Sequence, residues 1–368
     1  MDMEKSNFII NPGSASRKYA LYKEGRLLYN KHFENIKAGH ENYLVKALEQ
    51  SGAKDGIDLF GIRVVAPGEY FESHKEINHE YIEKLKVVFK LAPLHIKPEL
   101  VELEELFKLR PNARVIGVSD TAFHASIPKI ASQYAIDAND VKEFGIRRYG
   151  YHGISVSSVV REAANQLNAM PERVIVCHLG GGASITAVKN GASIDTSMGF
   201  TPIEGLIMST RSGDIDPGAV LALMRVKKLS ADEMENYLNT KCGLLGLSGK
   251  SDDIRELLKL EESGQEGAKL ALEVYVYRIR KYIGAYMAAL GGLDMLVFTA
   301  TVGERSWILR ERICKNLEGL GIALDDEKNK AAISLESFID ADSSRVRIAV
   351  IPTDEMGEMS REMEELLA

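Results

Sequence analysis

The chain has 368 residues, 45% hydrophobic and 27% charged, with a net charge of −7. Such a composition supports a sizeable core and excludes disordered and collagen-like architectures, and the length alone predicts two or three domains. The mild acidic balance argues against a protein that coats nucleic acid, yet it leaves small anionic substrates open, since a few local cations can hold those.

No run of about 18 uncharged apolar residues occurs, so no membrane partner is expected. The nearest candidate, Tyr282 to Val302, is interrupted by Gly291, Gly292 and Asp294. Met1 to Lys5 lacks the apolar stretch of a signal peptide. Cys177, Cys242 and Cys314 are far apart and odd in number, which points to a reducing, cytoplasmic setting without disulfides.

Taken in chain order, Phe8 to Ile10 reads as a strand, Asn11 to Ser16 as a turn rich in small residues, and Lys18 to Tyr22 as a second strand. A turn at Lys23-Glu-Gly25 leads to a third strand, Leu27 to Phe33. Glu80 to Lys90 and Pro98 to Leu109 read as helices, and Arg114 to Val118 as a buried strand ending near Asp120. The opening pattern returns about 168 residues on. Val174 to His178 is strand-like, Leu179 to Gly182 a tight loop, and Ala183 to Lys189 a strand. Asn190-Gly191 is a hairpin turn before Ala192 to Met198. Gly13-Ser-Ala-Ser16 and Gly181-Gly-Ala-Ser184 hold equivalent places, the sign of an internal duplication. Gln265 to Leu290 forms a long helix with Leu272, Val276, Ile279, Ile283, Met287 and Leu290 on one face. Asp294 to Ala300 and Val346 to Ile351 read as strands, and Met356, Met359, Met363 and Leu366 as the apolar stripe of a final helix. Strands alternating with helices indicate α/β layers.

Glycine- and serine-rich turns after strands let backbone N–H groups approach phosphate oxygens. Two such turns could grip one polyphosphate. Neither a Walker A motif nor a dinucleotide fingerprint is present, which disfavours P-loop and Rossmann chemistry. Asp195 to Pro217 is long, polar and unperiodic, the profile of a functional loop, and Arg211 stands among its small residues. No histidine pairs with another His or Cys at zinc spacing, and His74/His79 is unconvincing. His152 and His178 sit at turn and strand edges.

These motifs resemble those of the acetate kinases, with propionate and butyrate kinases as relatives. The resemblance runs from Asn11 to Glu355. It is carried by Asn11 to Ser16, Ser119 to His124, Arg147 to Gly153, His178 to Ser184, Asp195 to Pro217, Gly243 to Gly249 and Ile351 to Glu355. It implies the duplicated fold of actin, sugar kinases and heat-shock ATPases: α/β, two lobes with a nucleotide cleft between them. The expected boundaries are 1–121 plus 354–368 for the N-terminal lobe and 122–353 for the C-terminal lobe. The resemblance further implies a cytoplasmic homodimer that uses Mg²⁺ and ATP/ADP to interconvert acetate and acetyl phosphate.

Acetate is already ionised at pH 7, so no strong base is required. The difficulty is bringing one anion to another and stabilising an in-line transition state. By resemblance, Arg63 binds the carboxylate, and Arg211 and His152 stabilise the transferring phosphoryl group. Asp120 is the essential aspartate, orienting arginine or Mg²⁺. Asn11 and Glu355 are the magnesium-associated positions. Ser14, Ser16 and Lys18 belong to the first phosphate loop. His178, Leu179, Gly180, Gly181 and Gly182 contact nucleotide, together with Asp253, Ile254, Arg255 and the segment Thr301, Val302, Gly303, Glu304, Arg305. Val65, Leu94, Tyr151 and Pro202 line the acyl pocket, and Val65 favours acetate over propionate by the room it denies a methyl group.

Several residues depart from the family pattern. Ala66 and Val156 stand where histidines are usual, Pro67 where glycine is usual, and Gly181 where an asparagine is usual. Tyr151 replaces Phe. Thr301 and Arg305 replace a glycine and an asparagine in the adenosine segment, from which weakened nucleotide binding or an altered phosphoryl donor such as pyrophosphate is expected. Another short-chain acyl kinase, for propionate or butyrate, is the alternative enzyme reading, and a non-catalytic sensor on the same fold is the competing class, disfavoured by the retained polar residues.

Overall fold

The computed structural model describes residues 6–13, 16–34, 36, 42–52, 57 and 59–368, the side chain of Leu94 excepted. Ser14 therefore lies outside the described residues. Two compact units emerge: Met1–Ala125 with Tyr151–Ser158 and Asp354–Ala368, and Ser126–Gly150 with Val159–Thr353. Among the described residues no helix is long and apolar enough to cross a membrane, and all three cysteines are free.

The first unit is built on β1 (Ser6–Pro12), β2 (Ser16–Lys23), β3 (Arg26–Glu34), β4 (Leu59–Val64), β5 (Lys75–Glu76) and β6 (Arg114–Ser119). Their order across the sheet is β3-β2-β1-β4-β6-β5. The first three strands form an antiparallel meander, whereas β4 runs parallel to β1 and β6 parallel to β4. Period-two alternation gives β1 two buried faces. Phe8 and Ile10 join Tyr19, Phe60 and Ile62 on one side, against Tyr81 and Leu85 and against Ile96, Leu103 and Leu106. Ile9 points the other way, with Ile116 and Val118, onto Met356, Met359 and Met363 of the helix Glu355–Leu366. That approach is close enough to demand glycine at position 61, where a Cβ would lie 2.2 Å from the Met363 Sδ. Leu366, expected on the same stripe, is exposed instead, and Leu367 packs against the cluster in its place.

A second difference concerns the helix expected to begin at Pro98. It begins at Pro93 and runs to Leu109. Pro93 occupies the first turn, where a missing N–H costs nothing, and Pro98 is carried inside at the loss of one donor.

The second unit repeats the first. Its strands are β7 (Arg173–Leu179), β8 (Ala183–Lys189), β9 (Ala192–Thr196), β10 (Met295–Thr299), β11 (Ser337–Phe338) and β12 (Arg347–Val350). Read from the opposite edge their order is β9-β8-β7-β10-β12-β11, the first sheet's topology strand for strand. Even the irregularities recur. The β2–β3 register shifts between Leu21 and Tyr22, and the β8–β9 register between Ala187 and Val188. Both hairpins turn through two residues of positive φ, Glu24-Gly25 and Asn190-Gly191. The expected duplication is borne out. The helix Glu266–Leu290 buries Leu272, Val276, Ile279, Ile283 and Leu290, with Met287 only partly covered.

Candidate active site

In an open parallel sheet, functional groups gather beyond the carboxyl ends of the strands. β1, β4 and β6 are parallel neighbours, so the residues ending them come together. Asn11 is the penultimate residue of β1, Arg63 the penultimate residue of β4, and Asp120 the first residue past β6. Arg63 donates to both Asp120 oxygens, from Nε to Oδ1 at 3.2 Å and from Nη2 to Oδ2 at 2.8 Å. Its Nη1 donates to Asn11 Oδ1 at 3.4 Å and lies 3.9 Å from Glu355 Oε1. Asn11 Nδ2 donates to Glu355 Oε2 at 3.1 Å, and Lys18 Nζ stands 3.8 Å from that oxygen. Burial opposes the Arg63 charge, but Asp120 and Glu355 more than offset it and raise its pKa.

Asp120 is fully buried. Besides Arg63, its Oδ2 accepts from the His152 backbone N–H at 2.8 Å, and its carbonyl accepts from Gly153 N at the same distance. His152 has φ +63°, a left-handed conformation that is uncommon for a residue with a side chain and costs about 1–3 kcal/mol. The Asp120 contacts hold it there. Gly153 follows because a Cβ would sit 2.5 Å from the Asp120 carbonyl oxygen. Behind this turn, His124 donates from Nε2 to the Tyr151 carbonyl at 3.0 Å. Burial pushes the His124 imidazole down to about 4, so this ring stays neutral.

Five of the six expected polar residues, Asn11, Arg63, Asp120, His152 and Glu355, thus meet in the first unit. Val65 and Tyr151 are buried within the same unit. Leu94 lies in the first turn of its helix, its side chain outside what is described. Of the first phosphate loop, Gly13 N donates to the Ser16 carbonyl at 2.9 Å. Arg17 Nη1 reaches the Gly13 and Ser16 carbonyls at 2.5 and 2.9 Å, while its Nε pairs with buried Glu102 at 2.7 Å.

The other expected residues belong to the second unit. His178 and Leu179 end β7, buried. Gly180 N donates to the Gly182 carbonyl at 3.0 Å, and Ser209 N to the Gly181 carbonyl at 3.2 Å. The loop is thereby tied to the long Asp195–Pro217 segment. Arg211 Nη1 donates to the carbonyl of buried Pro202 at 3.3 Å. That segment has no regular structure between Thr196 and Pro217, yet it is firmly held. Arg148 donates to the Thr196, Ser197 and Met198 carbonyls and pairs with Glu204 at 2.6 Å.

Thr301 to Arg305 lie in a short helix after β10, with Thr301 and Arg305 exposed and Gly303 buried. Asp253 caps the helix Ile254–Glu262 through its bond to Arg255 N at 2.8 Å, and Arg255 is exposed beside it.

Three supporting residues escaped the sequence reading, Glu99, Glu102 and Arg310, while Arg148 lay inside the Arg147–Gly153 motif without an assigned role. Arg310 is fully buried and donates to the Gly303 and Glu304 carbonyls at 2.7 and 3.0 Å. Burial lowers its pKa to about 10. Glu99 and Glu102 had a legible signal, since both interrupt the apolar stripe of their helix.

The sequence profile described as the acetokinase family matches residues 28–360. Acetate kinase of Carboxydothermus hydrogenoformans is 45% identical over 315 residues, covering 84% of this chain and 78% of its own. The crystal structure of Porphyromonas gingivalis acetate kinase superposes with a TM-score of 0.87 at 37% identity, over 99% of this chain and 100% of that one. A propionate kinase from Francisella tularensis subsp. tularensis superposes with a TM-score of 0.88 at 35% identity, over 97% and 98%. On matches of this extent, the chain belongs to the acetokinase family.

Proposed function

We propose that the chain transfers the γ-phosphoryl group of ATP to acetate, reversibly, giving acetyl phosphate and ADP. The observation that carries this reading is Arg63. Three of its five N–H groups are committed to Asp120 and Asn11, which fixes the guanidinium plane and leaves two donors for a carboxylate. Asp120 accepts from Arg63 twice and from the His152 N–H, which suits it to orienting Arg63. The His152 imidazole and the Arg211 guanidinium are assigned to the charge of the transferring phosphoryl group.

Magnesium fits the residues present. The Glu355 carboxylate and the Asn11 amide oxygen are hard oxygen donors on a fixed frame, and Mg²⁺ is ordinarily held by one or two carboxylates, with phosphates and waters completing its shell. Among the described residues no cluster of three or more acidic, His or Cys ligands exists, in keeping with that mode. Bound there, the ion would neutralise phosphate charge.

Val65, buried beside Arg63, supports acetate over propionate. The exposed Thr301 and Arg305 motivate testing the donor. The helix Pro217–Lys227 supports a homodimer: it is largely apolar yet has no buried residue, and Leu221 and Val226 are exposed, apolar surface suited to a second copy. The free cysteines support a cytoplasmic setting.

A steady-state panel of ATP and pyrophosphate against C2, C3 and C4 acids, with acyl phosphate trapped as hydroxamate, tests the reaction. ATP with acetate is expected to give the highest kcat/KM. No acyl phosphate from any pair would end the reading. Sedimentation of the wild type against Val226→Asp tests the dimer.

A further inference from the structure

The helix Pro93–Leu109 carries a carboxylic acid where its packing calls for an apolar side chain. Ile96, Leu103 and Leu106 form its buried face, and Glu99 falls on the same stripe. Glu99 is 0% exposed. Its Oε1 accepts from the Val65 backbone N–H at 2.8 Å, whereas its Oε2 is buried without a hydrogen-bond partner in the protein.

The place of that bond matters. The last β4–β6 ladder pair is Val64–Ser119, and Asp120 N still donates to the Val64 carbonyl at 2.9 Å. Val65 is the next residue, already beyond the strand. Its N–H would be a buried orphan without the Glu99 oxygen, and orphan donors of this kind are rare and costly. Glu99 therefore fixes where the chain leaves the sheet, two residues after Arg63.

We propose that Glu99 is a positioning residue for the acyl end of the site, holding Val65 and through it Arg63 from behind the strand; this rests on the acyl-kinase reading above. Burial pushes the Glu99 carboxyl up to about 8; the Val65 N–H and Arg63 oppose that rise, and Asp120 adds to it. The groups facing it are Arg63 from β4, Asp120 beyond β6 and Tyr81 from the helix His79–Val87. Near neutrality Glu99 is an uncharged acid that accepts through one oxygen. Above pH 8 it becomes a further negative charge in the field of Arg63, competing with the carboxylate substrate.

Glu99→Gln keeps an accepting oxygen without the charge, and Glu99→Ala removes both. At pH 7, Glu99→Gln is expected to keep the acetate KM within about 2-fold of wild type, and Glu99→Ala to raise it about 10-fold or more with the ATP KM nearly unchanged. The wild-type acetate KM should rise several-fold between pH 7 and 9.5, and that of Glu99→Gln should stay flat. Equal changes in both KM values for Glu99→Ala, or a basic limb that persists in Glu99→Gln, overturns the proposal.

Hydrogen exchange at the Val65 amide reads the anchor without catalysis. Protection should survive in Glu99→Gln and fall about 10-fold or more in Glu99→Ala, and an equally protected amide in Glu99→Ala removes the anchor. If the wild type makes no acyl phosphate while the amide behaves as expected, the acyl-kinase reading fails and the Val65 anchor stands. Should Glu99→Ala not fold, Glu99→Gln still decides through its pH profile and Val65 protection, and loss of either the flat profile or the protected amide overturns the proposal.

Discussion

The two sheets share strand order, the position of a register shift and the shape of a hairpin turn, yet the carboxyl ends of their parallel strands are furnished differently. In the first unit, β1, β4 and β6 end in Asn11, Arg63 and Asp120, side chains locked to one another and to Glu355. In the second, β7 leads into three glycines, whose loop is held by backbone bonds from Gly180 N and Ser209 N, and β10 into the helix Ala300–Arg305. Duplication preserved the backbone and left its chemistry free to diverge. On the function proposed above, one copy would recognise a small carboxylate by fixed charge and the other would let polyphosphate approach bare main chain.

The contrast is most sharply tested by disturbing both ends. Asp120→Ala leaves the Arg63 guanidinium without its bidentate partner and the His152 turn without its anchor. Breaking one side of a buried ion pair costs about 3–5 kcal/mol, and losing a fixed charge at the reacting centre about 10²–10³-fold in kcat. Urea unfolding and steady-state kinetics should show both losses. Gly181→Ala should fold normally, since a Cβ there meets only the Ser209 Oγ at 3.8 Å, and raise the ATP KM alone. Similar damage from the two variants would mean that the ends are furnished alike in function.

The second test is the neutral imidazole behind the turn. The His124 pKa falls from 6.5 to about 4 in the folded state through burial. A depressed folded pKa contributes stability that is complete above pH 6.5 and is lost as pH falls through about 4. The full contribution is about 3 kcal/mol in order of magnitude. Urea midpoints measured from pH 7 to 4 should decline in wild type and decline less in His124→Gln, whose amide keeps a donor for the Tyr151 carbonyl. Parallel declines would remove His124 as the cause.

What was legible in the sequence follows the range of each signal. The meanders could be read because their turns are local: Lys23-Glu-Gly25 and Asn190-Gly191 announce a hairpin by themselves. The long helix announces itself by period. The Arg63–Asp120 pair joins residues 57 positions apart, and it depends on β4 and β6 lying side by side in parallel, which neither strand encodes alone; only family resemblance pointed to it. Glu99 was missed because a helix begun at Pro98 makes it an ordinary first-turn acid. Begun at Pro93, the same helix places Ile96 a turn before Glu99, which shows Glu99 to be an interior residue on the buried stripe. Asp253, expected with Arg255 to contact nucleotide, also caps the helix Ile254–Glu262.

Substituting the residue after Arg63 and Val64 probes the acyl side with a smaller effect. Val65→Ala should enlarge the pocket by about two methyl groups, and each such increment is worth about 1–3 kcal/mol of discrimination. The ratio of propionate to acetate kcat/KM should rise about 10-fold or more, with the ATP KM unchanged. An unmoved ratio would detach Val65 from the acyl chain and leave Arg63 as the substrate contact on this strand.

The smallest effect belongs to the hairpin turns. Both place their two central residues at positive φ, as type I′ turns require. The second copy fills these places with Asn190 and Gly191, the favoured pair, and the first with Glu24 and Gly25 at φ +50° and +72°. Glutamate has no side-chain device to support the left-handed region, whereas asparagine adopts it readily. Glu24→Asn should therefore stabilise the first unit, by about 0.5 kcal/mol on the scale of backbone-compatible turn substitutions. Asn190→Glu should cost a similar amount in the second. Opposite shifts of equal size, read from denaturant midpoints, would show the turns to be energetically equivalent copies. An unequal pair would show that the sheets, though identical in path, differ in how strongly each meander depends on its turn.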